Sequence, residues 1–346
     1  MKQFFTSLLA LYVMCAAGTI CHAQDMSPVE PLNKINDAIS KMSQKYIEYM
    51  SAMAHTNNEK KTEKKFNALL SQVEDSRYEI LDAPYYKGDK TLNQQALDYM
   101  KLVNNLLNEN YAKMVNMEEI AEQSYDKMEA YILLKKKVKE KMDEAGEKNH
   151  QAVVDYCKKY NITLTEAKNE LDSKMDQLNA MTDYYDEIHL IFFKCSVQED
   201  DMMEAVNKKN ITTVEQLKNS ISKFANEGLT RLDTLQDFKG NAMLKNACHN
   251  ALKFFQDEAA KMSIFTDYLI KEQAFEKIKS NFESNPSASN DKQEIDKYNK
   301  AVKEINDALK QYNQINDNLN QARTNMYNNW NTSVQTFMDA YAPYAD

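Results

Sequence analysis

Apolar positions recur along this chain with the three-and-a-half-residue period of packed helices. Ile35, Ile39, Met42, Tyr46, Tyr49 and Met53 are separated by steps of four and three, as are Leu92, Ala96, Tyr99, Val103 and Leu106. Tyr185, Ile188, Phe192 and Cys195 keep the rule, and so do Val214, Leu217, Ile221 and Phe224. Such alternation belongs to coiled coils and antiparallel bundles. The intervening Lys, Glu, Asp, Asn and Gln suit a solvated face. No run of β-branched and aromatic residues between turn signals reads as a strand. The predicted fold is therefore all-α, with no β-sheet.

The breaks in the pattern are short. Asn57-Asn58 separates two helices of about 24 residues, and residues 83–89 separate the second from the third. Val115-Asn116 reads as a softer break, with Asn116 and Glu119 placed as a capping box. "NPSASND", residues 285–291, has the composition of a loop. Two further junctions share one design: Lys158 to Thr163 followed by Glu166, and Lys208 to Thr212 followed by Glu215. Each ends a helix with lysines at the negative end of its dipole. Each offers Asn for the left-handed residue, and Thr with a Glu three residues on to cap the next helix. Helix punctuation therefore accounts for their Asn-x-Thr sequons without a glycan. The long helices expected at 118–160 and 164–209 would each approach 65 Å, which predicts an elongated molecule.

One stretch has a partner elsewhere in the chain. Tyr86-Lys87-Gly88, with Leu92 and Lys101 after it, recurs as Phe238-Lys239-Gly240, with Leu244 and Lys253, at a constant offset of 152. Of the four glycines after residue 24, two occupy this position. The spacing predicts a tandem duplication of antiparallel bundles, residues 32–163 and 164–345, with four helices in each.

Composition supports long helices: only 5 Gly and 5 Pro occur in 346 residues. The N-terminus differs from the rest. Lys2, an apolar run from Phe4 to Ala17, and Cys21-His22-Ala23 have the form of a signal peptide over residues 1–24. Neither Cys15 nor Cys21 sits in a lipidation context, and no later segment is apolar enough to span a bilayer. Cleavage removes one lysine and no acid, so the net charge of −9 becomes more negative. This balance argues against nucleic acid as a partner. The only arginines are Arg77, Arg231 and Arg323, which leaves little for bidentate phosphate recognition.

Candidate chemistry is sparse. Lys87-Gly88 lacks the glycine run, the Gly-Lys order and the preceding strand of a phosphate loop. It reads as a turn, with Gly88 at positive φ and Asp89 or Thr91 capping the next helix; a carbohydrate or peptide groove there is the functional alternative. Glu147 with His150, and Asp186 with His189, imitate a di-metal bundle motif. Their positions about the expected hairpin differ by about 20 Å along the bundle, so they do not make one site. Cys157, Cys195 and Cys248 follow the signal. Cys195 and Cys248 fall on apolar stripes at similar heights, which makes them a candidate disulfide pair or two buried thiols. His249 points away from Cys248 on a helix, so no nucleophile–base pair forms there. The 19 Met and 20 Tyr are core fillers at helical spacing.

The "ILDAPYYKGDKTL" turn, the helix through "LVNNLLNENYAKM" and the helix ending "VVDYCKKYNITL" resemble an uncharacterised family of exported, all-helical bacterial surface proteins of spirochaete type. The resemblance is strongest over residues 32–165. It implies a surface or periplasmic location and a helical fold, and it brings no activity and no site residues. The expectation is an exported, non-enzymatic scaffold or binding protein of the cell envelope, without a cofactor, with a protein or glycan partner. A homo-oligomer is compatible with the pattern. The alternative is a small-molecule or lipid carrier with a cavity inside a bundle.

Overall fold

The computed structural model describes residues 13–15, 26–56, 58–166, 169–285 and 287–345, with backbone alone at 13–15, 109–119 and 165–166. Apart from Val13–Cys15, the expected signal peptide lies outside the described residues. Eight α-helices follow one another among the described residues: α1 (Val29–His55), α2 (Glu59–Leu81), α3 (Thr91–Ala121), α4 (Tyr125–Lys159), α5 (Glu170–Asn207), α6 (Ile211–Thr234), α7 (Met243–Ser284) and α8 (Lys292–Tyr341). The fold is all-α. The one extended pairing of any length among the described residues is a three-residue antiparallel ladder, Val13–Cys15 with Leu164–Glu166. It is too short to form a sheet layer.

Two compact units divide the chain. Unit 1 comprises residues 1–186 with 335–346, and unit 2 comprises 187–334. The packing boundary therefore falls inside α5 and α8 rather than at the loop between residues 163 and 164. In unit 1, the N-terminal half of α5 is tied to α4 by Lys135–Asp186 at 2.6 Å and Lys139–Asp183 at 2.5 Å.

The core of unit 1 is built from the predicted stripes. Ile35, Ile39, Met42, Tyr46 and Tyr49 of α1 are buried, as are Leu92, Ala96, Tyr99, Val103 and Leu106 of α3. Ser76 of α2 donates a buried hydrogen bond to the Ala38 carbonyl at 2.7 Å, which draws α2 close to α1. Residues 342–345 return to α1, where His55 stacks on Tyr344 at 3.8 Å. The Ala345 N–H donates to Ser51 Oγ at 3.1 Å.

In unit 2, Ile188, Phe192 and Cys195 of α5, Ile221, Ala225 and Leu232 of α6, Leu252 and Phe255 of α7, and Trp330 of α8 are buried. Phe192 stacks on Trp330 at 4.1 Å. On α6 the buried seam drifts from the expected positions: Leu217 and Phe224 are half-buried, while Ala225 and Gly228 face inward. A Cβ on Gly228 would lie 2.9 Å from Ile191 and from Leu252, so the missing side chain permits this approach of α6.

The helix junctions differ in detail from the expected caps. α3 runs through Val115-Asn116, and the turn falls at residues 122–124, where Ser124 accepts from the Lys127 N–H. After α4, Asn161 takes the left-handed conformation as expected (φ 54°), and the Ile162 N–H donates back to the Cys157 carbonyl at 2.8 Å. Thr163 and Glu166 do not cap α5. The chain runs extended there, and Asn169 and Asp172 form the reciprocal box instead, at 2.8 and 3.2 Å. At the second junction the left-handed residue is Lys209 (φ 54°), and Asn210 rather than Thr212 is the cap, accepting from the Thr213 N–H. Asn is the stronger N-cap residue, its side-chain carbonyl accepting from an N–H of the first turn, and it takes the cap in both places.

Candidate functional site

The corner between α2 and α3 is the repeated motif. Tyr86–Gly88 forms one 3-10 turn, with Lys87 at φ 51° and Gly88 at φ 75°. The Asp89 N–H donates to the Tyr86 carbonyl at 3.0 Å, and Asp89 Oδ1 accepts from the Thr91 N–H at 3.0 Å. Asn93, buried in the first turn of α3, donates to the carbonyls of Ile80 and Ala83 and so holds α3 to the end of α2.

The corner between α6 and α7 repeats this backbone at the same offset. Lys239 has φ 50° and Gly240 φ 78°. The Asn241 N–H donates to the Phe238 carbonyl at 2.9 Å, and Asn241 Oδ1 accepts from the Met243 N–H at 2.8 Å. Lys245, in the place of Asn93, donates to the Leu235 carbonyl, in the place of Ala83. The correspondence continues upstream, where Asn58 and Asn210 both cap through a side-chain oxygen.

Neither glycine has an atom within 4 Å of where a Cβ would sit, so φ alone requires glycine here. Gly88→Val is expected to lower stability by about 1–2 kcal/mol through backbone strain. Lys87→Ala should leave the melting temperature nearly unchanged. Thermal denaturation followed by circular dichroism checks both, and the reverse pattern would assign Lys87 a structural role.

The side chains on the two corners differ. Around the first, the Tyr86 and Tyr160 rings meet edge to face at 4.8 Å, and Tyr156 and Tyr160 do so at 4.7 Å. Lys87 lies 5.3 Å from the Tyr86 ring, Lys90 5.3 Å from Tyr85, and Lys159 5.3 Å from Tyr160. Asp89 Oδ2 accepts from Lys159 Nζ at 2.7 Å and from the Tyr160 hydroxyl at 3.0 Å. Its side chain is only 8% exposed. The Lys159 ammonium, then the Thr91 N–H, hold the Asp89 carboxyl well below the usual carboxylate range. In the second corner the residue matching Tyr85 is Asp237, which pairs with Lys245 at 2.6 Å. Phe238 there is buried.

Beside the first corner lies a half-open groove of about 410 Å³ between α3 and α4. Asp89, Thr91, Gln95, Gln151, Asp155 and Lys159 are among the residues that line it. Its chemistry is that of hydroxyls, amides and charges, with Leu92 and Ala152 as the apolar patches.

A second cluster lies inside unit 2 and was not anticipated. Arg323 of α8 donates through Nε to Glu199 of α5 and through a terminal nitrogen to Glu258 of α7. The Tyr327 hydroxyl donates to the other oxygen of Glu199 at 2.9 Å. Both glutamates are buried, and Glu258 Oε2 has no hydrogen-bond partner. Burial, then the charge of Glu199, pushes the Glu258 carboxyl up to about 7. Burial also raises Glu199, against the pull of Arg323 and Tyr327. Two acids face one guanidinium, so the cluster is one positive charge short at high pH.

The cysteines of the candidate disulfide pair, Cys195 and Cys248, are free, buried thiols, and Cys157 is buried too. Cys248 Sγ sits 3.8 Å from the Ile188 carbonyl. Burial pushes the Cys195 thiol up to about 12 and raises Cys248 further, with Cys195 itself contributing. Among the described residues no three His, Cys, Asp or Glu side chains converge as metal ligands, and no helix is long and apolar enough to cross a membrane. Comparison with protein-family models, with curated proteins and with solved structures found no match to this chain.

Proposed function

We propose that this chain is an exported, non-enzymatic binding protein of a bacterial cell envelope, and that it binds through the α2–α3 corner of unit 1. One observation carries the binding role. Both corners share one backbone, and both set the left-handed lysine near the preceding ring, Lys87 by Tyr86 and Lys239 by Phe238; only the first adds a second pair, exposed Lys90 by exposed Tyr85. The second corner forms the same turn with Asp237 and Ala242 at the places of Tyr85 and Lys90, so the turn does not need that pair, and recognition is the use we assign to it. The common offset of caps, left-handed pairs and helix starts supports a tandem duplication in which one copy of the corner diverged. The signal-like N-terminus and the resemblance to exported helical surface proteins support the location. Glu199 and Glu258 are held by Arg323 and are not among the residues that line the corner groove, which supports placing the binding role at the corner.

Fractionation of the native host, followed by incubation of the protein from residue 25 onward with envelope extract, tests this reading. Recovery in the envelope fraction, with an extract component retained by the wild type and not by Lys87→Glu/Lys90→Glu, is the expected result. A cytoplasmic location would overturn it. Lipid co-purified at one molecule per chain would favour the carrier alternative.

A further inference from the structure

We infer that the α2–α3 corner and its adjoining groove bind an acidic glycan, the lysines meeting carboxylates and the tyrosine rings and groove amides meeting the sugar faces and hydroxyls. This inference rests on the binding role proposed above and names the ligand class.

Charge is the first argument. The chain as a whole is acidic, at −9. Residues 83–91 and 156–163, the corner and the end of α4, hold four lysines and one aspartate. That aspartate, Asp89, is already engaged by Lys159, Tyr160 and the Thr91 N–H. Lys87 and Lys90 are exposed and have no carboxylate partner among the described residues. Asp82 lies beyond the corner at the end of α2; Asp155 keeps its charge in the groove, accepting from Gln151 at 2.8 Å, so the glycan carboxylates are placed at Lys87 and Lys90 and the sugar hydroxyls at the groove. The positive end of the α3 dipole meets the negative ends of α2 and α4 here, so the lysine side chains carry the positive charge.

Shape is the second argument. Tyr85 is 37% exposed, and Lys90 lies near its ring. A flat, half-exposed ring beside an ammonium suits the apolar face of a pyranose that also carries a carboxylate. The groove of about 410 Å³ is of the size that holds one or two sugar units, and Thr91, Gln95 and Gln151 offer hydroxyl and amide groups for sugar hydroxyls. A peptide would call for apolar pockets or a free strand edge. Among the residues that line this groove, Leu92 and Ala152 are the small apolar patches, and no strand edge is among them.

The second corner is an internal control, because it has the same backbone with Asp237 in place of Tyr85 and Ala242 in place of Lys90.

Calorimetric titration of the protein with a galacturonate hexasaccharide, with maltohexaose and with hexaglutamate tests the inference. The galacturonate should bind, weaken as salt is raised, and lose roughly tenfold or more in affinity in Lys87→Glu/Lys90→Glu. Lys87→Gln/Lys90→Gln should give a smaller loss, and Lys239→Glu none. Maltohexaose and hexaglutamate should bind much more weakly. Hexaglutamate binding as well as galacturonate would mean a peptide or nonspecific anion site and overturn the glycan. An affinity unchanged by Lys87→Glu/Lys90→Glu would place any binding elsewhere. Capture of envelope material without galacturonate binding would reject the glycan class and leave the binding role standing; failure of both would reject both.

Discussion

Arg323→Met is expected to destabilise unit 2 by about 3–5 kcal/mol at neutral pH. Arg323 donates to both Glu199 and Glu258, and both are buried. Removing the guanidinium leaves two carboxylates desolvated with no cation between them, and an uncompensated buried charge costs far more than an exposed pair contributes. The loss is separable from lost packing. Replacing all three residues at once, Glu199→Leu, Glu258→Leu and Arg323→Met, should recover most of the stability, since apolar side chains of similar size tolerate that site. Trp330 is the only tryptophan and lies in unit 2, stacked on Phe192, so its fluorescence during guanidinium denaturation follows this unit. A loss below about 1 kcal/mol for the single variant would mean that the acids are solvated and that the cluster holds nothing together.

The same cluster sets a pH dependence of unusual sign. Glu258 is raised from an ordinary value of 4.5 to about 7. Between those values the folded protein keeps a proton that the unfolded chain has released. Stability of unit 2 therefore falls as pH rises from about 4.5 to about 7, and levels off above it, by about 3 kcal/mol in total. Glu199 is shifted in the same direction by burial. Asp200 and Asp201, next to Glu199 on α5, are shifted upward by burial as well. Asp89 is shifted the other way, so its contribution is lost as pH falls below its ordinary range. It belongs to unit 1 and leaves the Trp330 signal alone. Glu258→Gln should flatten the profile and stabilise unit 2 above pH 7. A stability that rises from pH 5 to pH 8 in the wild type, unaltered in Glu258→Gln, would remove the buried proton from the account.

The stripes of the core were legible because burial and helical period leave the same mark. Ile35, Ile39, Met42, Tyr46 and Tyr49 were all assigned from spacing and are all buried. The turn at Gly88 was legible because an isolated glycine in a chain that avoids glycine marks a positive φ. Lys87, Lys209 and Lys239 were not read as left-handed, because lysine has no local preference for that region and the neighbouring fold imposes it. Capping failed at Thr163 because the chain stays extended through residue 166 and the Asn169–Asp172 box, six residues on, caps α5 instead. The acid–arginine cluster was the larger omission. Its members lie on three helices, and Glu199 sits in the run "SVQEDDMME", which looks solvated. A signal did exist. Cys195, Glu199 and Met202 continue the 4-3 stripe of α5, and Phe255, Glu258 and Met262 follow the same steps on α7. A charged residue on a stripe position points inward and needs a partner; the scarcity of arginine then narrows the choice. The decorated corner was visible as a motif, but the approach of Lys159 and Tyr160 depends on how α4 returns, which no local pattern states.

The three buried thiols also offer a clock. Cys157 lies in unit 1, and Cys195 and Cys248 lie in unit 2. With the thiolate form suppressed by burial at Cys195 and Cys248, an alkylating reagent meets them only when the surrounding helices part. The rate at which each cysteine becomes labelled then measures how often its own unit opens, without any added probe. Comparing Cys157 with Cys195 under identical conditions would show whether the two halves breathe together or each at its own pace.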